Sequence, residues 1–362
     1  MIDRAYMARA LQLAERGLFT THPNPRVGCV IVKEGQIVGE GWHQKAGAPH
    51  AEINALNLAG DKAQGATAYV TLEPCSHHGK TPPCADALIK AGISRVVVAM
   101  EDPNPQVAGS GIAKLQEANI EVTVGLLESE ARELNPGFIL RMSVGRPFVR
   151  CKMAMSLDGR TAMASGESQW ITGGDARDDG QRLRARSSAI MTGVGTVLAD
   201  DPQMTVRLEG ETVETPLRIV LDPHLSTPIS AKILQGDAAT LIVTAVDEPG
   251  IQQQFEEAGI EVISVPGRNE TIDLAALMLI LAEREINEIH LEAGATLSGA
   301  MLHEGLIDEL NIYMASKLMG SNARALFNTP GLDILADAVE LDIIDIRPVG
   351  VDWRIRARVV SE

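Results

Sequence analysis

Three residues whose side chains bind metals, His50, Cys75 and Cys84, constrain the fold of this chain more than any other feature. His50 stands where a helix is predicted to begin, and Cys75 follows an apolar run predicted to be a buried strand. Cys84 follows two prolines, which favour the first turn of a helix. Residues that share one metal ion must lie together in the folded chain. The pattern therefore predicts that the end of one strand meets the starts of two helices.

The chemistry of these residues indicates a catalytic rather than a structural zinc site. Catalytic zinc commonly has three protein ligands and a water molecule in the fourth position. Glu52, two residues after His50, is then free to take a proton from water and pass it to a leaving nitrogen. The order His-x-Glu followed by Pro-Cys is typical of nucleobase deaminases. We expect one Zn²⁺ per chain on His50, Cys75 and Cys84, with Glu52 as the catalytic acid and base.

Two other interpretations of the motif are weighed against this one. His77 or His78 could complete a closed structural zinc site, but Glu52 would then have no role. The two cysteines of the motif could instead be small buried hydrophobic residues, as we expect for Cys29 and Cys151, which lie in apolar runs. The motif also departs from the common deaminase pattern, because eight residues rather than two separate its cysteines.

Length and cysteine content exclude several classes of protein. The 362 residues suffice for about two domains. The longest apolar run, 274–282, is too short to span a membrane, and charged residues interrupt the N-terminal segment, so neither a membrane span nor a signal peptide is predicted. With four cysteines, two of them assigned to metal, no disulfide framework is available, and we expect a cytoplasmic protein.

The charge of the chain argues against a nucleic-acid partner. Lys and Arg number 14 against 15 Asp and Glu in residues 1–147, and 18 against 33 in residues 148–362, so the net charges are −1 and −15. Proteins that bind nucleic acids depend on basic surfaces. We therefore expect a small ligand held by a few local groups, and neither a nucleic acid nor a membrane as partner. A homo-oligomer is also expected.

Helical and strand patterns alternate along both halves of the chain, which predicts an α/β layer fold. The segment 143–147 interrupts the alternation, so the predicted domains are 1–146 and 147–362. In the first domain, helices are predicted at 3–16, 51–59, 83–91, 109–118 and 128–142, and strands at 27–32, 37–42, 67–72, 94–99 and 120–124. In the second, strands are predicted at 148–155, 188–192, 217–221, 239–243, 260–265, 288–292 and 309–315, helices at 175–185, 250–258, 272–284 and 296–304, and a closing hairpin at 339–348 and 352–360.

Two turns of the second domain contain glycine and follow predicted strands. At 289–300 a strand ends in Glu292 and turns through small residues into a helix, whose free N–H groups could hold a phosphate. An ordinary strand-to-helix turn explains this segment equally well. The segment 192–202 is a second such turn. Leu198 stands there at the third glycine position of a dinucleotide-binding fingerprint, so a Rossmann motif is not supported.

A tryptophan and a group of arginines are further candidates for ligand contacts. Trp170 lies in a polar stretch, in a chain with only three Trp, and its ring could stack on a planar ligand or simply pack. Arg182 and Arg186 share one face of the predicted helix, and Arg184 points elsewhere. On composition alone, only one of these arginines need touch a ligand.

Taken together, the motifs resemble those of the bifunctional bacterial riboflavin-biosynthesis deaminase/reductases, and the resemblance covers essentially the whole chain. The eight-residue spacing of the motif cysteines is a property of that family. The resemblance implies a cytidine-deaminase-like N-terminal domain and a dihydrofolate-reductase-like C-terminal domain that uses NADPH. The motifs that carry it are His22–Cys29, His50–Glu52, Glu73–Cys84, Asp102–Pro105, Ser156–Gly159, Gly166–Ile171 and Val197–Pro202.

The resemblance also implies a substrate and the residues that contact it. A phosphorylated diamino-ribosylamino-pyrimidinone would lose its ring amino group to water, and the ribosyl chain of the product would then be reduced to ribityl. Contacts to the deaminase substrate are implied for Asn24, His77, Lys80, Asp102 and Asn104. Contacts to the reductase substrate are implied for Lys152, Ser168, Arg184, Met204, Arg207 and Glu292. Contacts to NADPH are implied for Ala154, Trp170, Thr196, Asp200, Gly294, Ala295, Thr296, Leu297, Ser298, Gly299 and Ala300.

Three alternative functions are weighed. A tRNA-editing deaminase with an attached non-catalytic domain shares the His-x-Glu and Pro-Cys elements, but the near-neutral first domain and the rebuilt loop between the cysteines count against it. A non-enzymatic zinc-binding module would make Glu52 dispensable. A working deaminase whose second half is only a scaffold stays open, because phosphate-binding turns are weak signals.

Overall fold

The computed structural model describes residues 2–76, 83–105 and 107–360, and the chain divides into two compact units. Residues Met1–Gly145 form the N-unit, and residues Arg146–Glu362 form the C-unit. The division falls inside the segment 143–147 where the alternation of the sequence is interrupted. In the described residues, no helix is both long enough and apolar enough to cross a membrane.

The N-unit is built on a mixed sheet in the order β2-β1-β3-β4-β5, in which β1 runs antiparallel to β2 and β3 and the later pairs are parallel. Its strands are β1 (Gly28–Lys33), β2 (Gln36–Trp42), β3 (Thr67–Val70), β4 (Arg95–Val98) and β5 (Glu121–Val124). Its helices are α1 (Ile2–Glu15), α2 (Ala51–Ala59), α3 (Cys84–Lys90), α4 (Ser110–Glu117), α5 (Glu128–Leu134) and α6 (Pro136–Val144).

Apolar residues on both faces of this sheet place helices on both sides of it. In β1, Cys29 and Ile31 face a core shared with α2 and α3, whereas Val30 and Val32 face a core shared with α1. A strand buried on both faces belongs inside a three-layer structure, because successive side chains point to opposite faces. The predicted α/β layer fold of this unit is therefore confirmed, with three layers.

Two glycines of β2 let α2 lie directly against the sheet. A Cβ atom at Gly39 would stand 2.2 Å from the carbonyl oxygen of Ala55, and one at Gly41 would stand 2.3 Å from that of Ala51. Any side chain at these positions would push the helix away. Since His50 precedes α2 and Glu52 lies in its first turn, the glycines fix where both side chains stand.

One helix predicted for this unit is interrupted. The prediction of a single helix at 128–142 is wrong, because α5 ends at Leu134 and α6 begins at Pro136. Proline has no N–H for a helix interior but suits a first turn. Asn135, between the two helices, accepts a hydrogen bond from the N–H of Arg26 at 2.8 Å and donates one to its carbonyl at 2.9 Å. The break thus ties the last helices to the segment before β1.

In the C-unit, nine of the described strands form one sheet in the order β11-β10-β9-β8-β12-β6-β13-β16-β15. Neighbouring strands are parallel except for the pairs β13–β16 and β16–β15, which are antiparallel. Its strands are β6 (Phe148–Ser156), β8 (Ala189–Gly193), β9 (Leu217–Leu221), β10 (Thr240–Thr244), β11 (Glu261–Ser264), β12 (Glu288–Leu291), β13 (Glu309–Ala315), β15 (Leu341–Val349) and β16 (Asp352–Val359). A small pair is formed by β7 (Arg160–Ala162) and β14 (Arg324–Ala325). The helices are α7 (Gly174–Ala185), α8 (Val194–Asp200), α9 (Pro249–Glu257), α10 (Leu274–Glu283) and α11 (Ala295–His303).

Helices cover both faces of this sheet as well. Leu277 of α10 and Met301 of α11 pack on one face, and Phe255 of α9 packs on the other, where Leu183 of α7 meets Tyr313. The predicted α/β class and the closing hairpin are confirmed. The short helix α8 and the strands β7 and β14 were not predicted. They are only two to seven residues long, too short for a clear hydrophobic period.

Candidate active sites

The three predicted metal ligands lie together in the N-unit. His50 precedes α2, Cys75 follows β3, and Cys84 is the first residue of α3. Nδ1 of His50 lies 3.7 Å from Sγ of Cys75 and 3.2 Å from Sγ of Cys84, and all three atoms lie within 4.8 Å of one another. Among the residues that the structure describes, this is the only group of three or more His, Cys, Asp and Glu side chains arranged to hold a metal ion.

The donor set fits zinc. With Zn–N of about 2.0 Å and Zn–S of about 2.3 Å, tetrahedral zinc would separate a nitrogen from a sulfur by about 3.5 Å. The two measured His50–Cys distances, 3.7 and 3.2 Å, lie on either side of that value. Hydrogen bonds from the Cys84 thiol, the His50 ring and the Cys84 N–H together lower the pKa of the Cys75 thiol to about 4, although burial opposes them. A thiolate is therefore available to a metal.

Glu52 lies beside these ligands and is buried from solvent. It is the second residue of α2 and is only 3% exposed. Burial raises the pKa of its carboxyl to about 7, although the nearby His50 charge lowers it, and the Cys84 thiol hydrogen-bonds to it. A group that both accepts and donates a proton works best when its pKa is near the working pH. The environment of Glu52 thus suits proton transfer.

A second histidine, His43, packs against the ring of His50. The two rings meet edge to face with their centroids 5.4 Å apart. Nε2 of His43 lies 3.0 Å from the amide nitrogen of Asn24, and its Nδ1 lies 3.3 Å from the carbonyl oxygen of Pro49. Since an amide nitrogen can only donate, Nε2 accepts and Nδ1 carries the hydrogen. Burial lowers the pKa of His43, which favours this neutral form.

Glu73 anchors the segment that carries Asp102 and Asn104. Its buried carboxylate accepts four backbone hydrogen bonds, and Asp102 Oδ1 in turn accepts the N–H of Asn104 at 2.9 Å. Because Glu73 stands two residues before Cys75, one strand end fixes both a metal ligand and this loop. The four N–H donors to Glu73 are those of Asp102 (3.1 Å), Gly109 (3.0 Å), Gly111 (2.8 Å) and Ile112 (3.2 Å). The other two predicted contacts to the deaminase substrate, His77 and Lys80, lie outside the described residues.

We expect Glu73→Gln to destabilise the N-unit by about 1.5–3 kcal/mol, the range for losing hydrogen bonds to a charged group. The amide NH₂ that replaces one carboxylate oxygen cannot accept, so buried N–H groups lose their partner. Urea denaturation measures the change in the free energy of unfolding. Glu117→Gln on the exposed face of α4 is the matched control, with an expected change within about 0.5 kcal/mol. Equal urea midpoints for the Glu73→Gln and Glu117→Gln proteins would contradict the anchoring role of Glu73.

In the C-unit, many of the predicted ligand contacts gather at the carboxyl ends of three neighbouring strands. Ala154 lies on β6, Thr196 lies on the helix that follows β8, and Glu292 follows β12. The strand order reverses here, since the chain leaves β6 for β8 and later returns to place β12 between them. In parallel sheets, such a reversal opens a crevice where ligands bind.

Arg184 and Glu292 form the charged centre of this crevice. Nε and Nη2 of Arg184 donate to the two carboxylate oxygens of Glu292 at 2.8 and 2.7 Å, and Nη1 donates to the carbonyl of Thr205 at 2.9 Å. Burial raises the pKa of Glu292, but the charges of Arg184 and Lys152 more than offset it and hold the pKa well below its usual range. Met204, another predicted contact, places its sulfur 3.7 Å from Arg184 Nη2.

The remaining predicted contacts of the reductase substrate are spread around this pair. Lys152 on β6 is partly buried, and its ammonium lies 5.8 Å from the centre of the Tyr313 ring. Ser168 is partly buried in the segment between β7 and α7. Arg207 has an exposed side chain, and its N–H donates to Gln181 at 2.9 Å. The structure therefore brings Lys152 near Glu292 and leaves Arg207 at the surface.

Within the turn predicted to hold NADPH, the residues divide into two groups. Gly294 and Thr296 are exposed, and Gly294 precedes α11 without a side-chain cap. Ser298 is fully buried and contacts Cys151 at 3.8 Å. A Cβ at Gly299 would stand 2.0 Å from the carbonyl of Asn328, so packing requires a glycine there. The other members of the turn, Ala295, Leu297 and Ala300, are partly buried.

Two more predicted cofactor contacts lie at the surface. The Trp170 side chain is 64% exposed, and the guanidinium of Arg177 lies 4.6 Å from its ring centre. Asp200, at the end of α8, is also exposed. A large exposed aromatic ring is available to stack on a planar group.

Sequence reasoning missed three residues that the structure puts next to the candidate sites. They are Glu73, His43 and His290, the last of which hydrogen-bonds to Glu292 at 2.7 Å. Only Glu73 carries a signal in the sequence, since it directly precedes Pro74-Cys75 at the end of an apolar strand. The two histidines are marked only by contacts with residues that the fold brings to them.

Comparison with family models gives a match for each unit. The cytidine and deoxycytidylate deaminase zinc-binding region matches residues 1–100, and the RibD C-terminal domain matches residues 147–355. The chain is 54% identical to riboflavin biosynthesis protein RibD of Escherichia coli (strain K12) over 363 residues, covering 97% of this chain and 98% of that protein. It is 49% identical to RibD of Haemophilus influenzae over 364 residues, covering 98% and 96%.

Solved structures agree with these matches. RibD of Acinetobacter baumannii superposes with a TM-score of 0.93 at 47% identity, and 99% of each chain is covered. The diaminohydroxyphosphoribosylaminopyrimidine deaminase/5-amino-6-(5-phosphoribosylamino)uracil reductase of Thermotoga maritima gives 0.88 at 33% identity with the same coverage. A tRNA deaminase with a non-catalytic attachment does not account for the match of the second half. The chain therefore belongs to the RibD family of bifunctional riboflavin-biosynthesis enzymes, in which a zinc-binding deaminase domain precedes a reductase domain.

Proposed function

We propose that the N-unit binds one Zn²⁺ through His50, Cys75 and Cys84 and deaminates a phosphorylated diamino-ribosylamino-pyrimidinone, and that the C-unit then reduces the ribosyl chain with NADPH. The observation that carries the proposal is the convergence of the three ligand atoms beside the buried carboxyl of Glu52. The domain limits proposed for these activities are 1–146 and 147–362. A homo-oligomeric assembly and a cytoplasmic location stay predictions.

For the deamination, zinc would supply a Lewis acid that lowers the pKa of a water molecule. Glu52 would accept a proton from the attacking water and deliver it to the amino nitrogen as ammonia leaves. Its buried position excludes bulk water from that transfer. Asn24, Asp102 and Asn104 would contact the substrate, with Glu73 holding the loop of the last two.

For the reduction, NADPH would supply the hydride, and the protein would bind and orient the two reactants. Glu292 stays ionised because Arg184 holds its carboxylate at two points. An ionised carboxylate accepts hydrogen bonds and can therefore bind a hydroxyl of the ribosyl chain. Lys152 would add a positive charge on the same side, since its ammonium influences Glu292. Ser168, Met204 and Arg207 would complete the substrate contacts.

The proposal is tested by incubating the zinc-loaded protein with the pyrimidine phosphate and following the products by mass. Without NADPH, the expected product has exchanged its ring amino group for oxygen, with release of ammonia. With NADPH, that product should gain a hydride and a proton. Substrate recovered unchanged would contradict the deaminase assignment, and a deaminated product that NADPH leaves unchanged would contradict the reductase assignment.

We expect Gly294→Val to weaken NADPH binding and stop reduction while deamination continues. The local structure indicates that this substitution tests cofactor binding without disturbing the fold. Gly294 has φ −72° and ψ 171°, an ordinary extended conformation, and no atom stands within 4 Å of a Cβ placed there. The fold should therefore accept valine, whereas the new side chain would obstruct a phosphate that approaches the free N–H groups of α11. The backbone conformation at this position therefore does not require a glycine.

Titration with NADPH, with a thermal melt in parallel, measures both effects. Gly250→Val is the matched control, because Gly250 lies at the start of another C-unit helix, α9, and likewise has open space around its Cβ position. The control should bind NADPH like the wild type. Wild-type affinity in the Gly294→Val protein would remove this turn from the cofactor site.

A further inference from the structure

One face of β12 carries a row of polar residues. Side chains alternate along a strand, so Glu288, His290 and Glu292 point to the same side, while Ile289 and Leu291 enter the apolar core on the other. Glu288 forms a buried ion pair with Arg150 at 3.0 Å. Glu292 is bound by Arg184 at the carboxyl end of the strand. His290 stands between these two ion pairs, and its side chain is fully buried.

Within the described part of the chain, the His290 side chain forms one hydrogen bond, to Glu292. Its Nε2 lies 2.7 Å from Oε1 of that carboxylate. Since Arg184 holds Glu292 ionised, the carboxylate can only accept, so Nε2 carries the hydrogen and donates. Burial lowers the pKa of His290 and keeps the ring neutral, with one N–H. This N–H donates to Glu292 and is not available to another acceptor.

A count of the acceptor sites on Glu292 shows what this bond does. An ionised carboxylate has about four lone-pair sites, two on each oxygen. Oε1 accepts from Arg184 Nε and from His290 Nε2, and Oε2 accepts from Arg184 Nη2. Oε1 is therefore saturated. Counting the contacts of the described residues, only Oε2 keeps an acceptor site for a ligand.

We propose that His290 is a positioning residue for the reduction: together with the two-point contact of Arg184, its N–H fixes the plane of the Glu292 carboxylate, so that the free acceptor site on Oε2 binds the ribosyl chain in a single orientation. The inference rests on the proposed function, in which Glu292 contacts the reductase substrate. Without His290, Arg184 alone would hold the carboxylate, which could then tilt about that contact. The acceptor site on Oε2 would then no longer be fixed, and the reacting carbon would be presented wrongly to NADPH.

Three substitutions separate this role from simple packing. In His290→Gln the amide nitrogen reaches about as far as Nε2, in His290→Asn the amide is one carbon shorter, and His290→Leu has no donor. We expect His290→Gln to keep most of the wild-type kcat/KM for reduction of the deaminated substrate. His290→Asn and His290→Leu should lose roughly ten- to hundredfold, the effect of one hydrogen bond to a charged group.

The affinity for NADPH, measured by titration, should not change in any of the three variants, which also shows that the C-unit is folded. Deamination by the same chains is an internal control and should stay at the wild-type rate. His290→Gln and His290→Asn proteins with the same kcat/KM would contradict the positioning role, as would a common loss of NADPH affinity. Wild-type protein that fails to reduce the deaminated substrate would instead contradict the proposed function.

Discussion

Glu52→Gln is expected to keep its zinc and its fold but to release ammonia about 10²- to 10⁴-fold more slowly, the usual contribution of proton transfer by a positioned side chain. Glutamine has nearly the same shape as glutamate, so the buried space beside Cys84 stays filled. It cannot take a proton from water or deliver one to the leaving nitrogen. Ammonia release under saturating substrate, with the zinc content of the same sample, measures the effect.

The same variant protein contains its own control. Reduction of substrate that has already been deaminated should proceed at the wild-type rate, because Arg184 and Glu292 belong to the other unit. A Glu101→Gln protein, changed at an exposed carboxyl of the N-unit, should deaminate normally. Near-normal ammonia release from Glu52→Gln would refute the acid/base role and favour a structural zinc site.

Cys84→Ala should lose both bound zinc and deamination. The change removes one of three donor atoms, and loss of a mere outer-shell partner already costs about 10- to 100-fold in metal affinity. The remaining two ligands, His50 and Cys75, would not hold the ion against a chelator. Metal analysis after dialysis gives the zinc content per chain, which we expect to fall from one to near zero.

Cys29→Ala is the matched control for this experiment. Cys29 is a fully buried cysteine of the same unit that packs in the core of β1 and is not one of the grouped ligands. The control should retain one zinc per chain. Full occupancy in the Cys84→Ala protein would overturn the ligand assignment. Loss of zinc from both proteins would point to a general effect of core substitutions on the fold.

The sequence was most informative where local chemistry or a long apolar period decides the structure. The three ligand residues are recognisable because few side chains bind zinc, and β1 and α10 are recognisable because whole faces of them are apolar. The break at Asn135 was missed although Pro136 is visible in the sequence, and the contacts that fix its position are with Arg26, more than a hundred residues away in sequence. Those contacts leave no periodic trace in the sequence.

The candidate sites show the same limit. Glu292 and Arg184 are both identified by resemblance, but their two-point contact joins residues 108 positions apart. His43 and His290 sit in ordinary strand surroundings, and each acquires a role only from the side chain beside it. Gly294 and Gly299 look alike in the sequence, yet one faces open space and the other abuts a backbone carbonyl.

The contact between β2 and α2 also bears on the accuracy of folding. Gly39 and Gly41 face the helix, whereas Glu40 and Trp42 face α1, where Arg9 binds Glu40 at 2.7 Å. A slip of β2 by one residue would exchange the two faces. Glu40 and Trp42 would then collide with the helix backbone, and Arg9 would lose its partner. The β1–β2 hairpin therefore accepts a single register. The zinc site, whose ligand His50 precedes α2, can form only in chains that fold with this register.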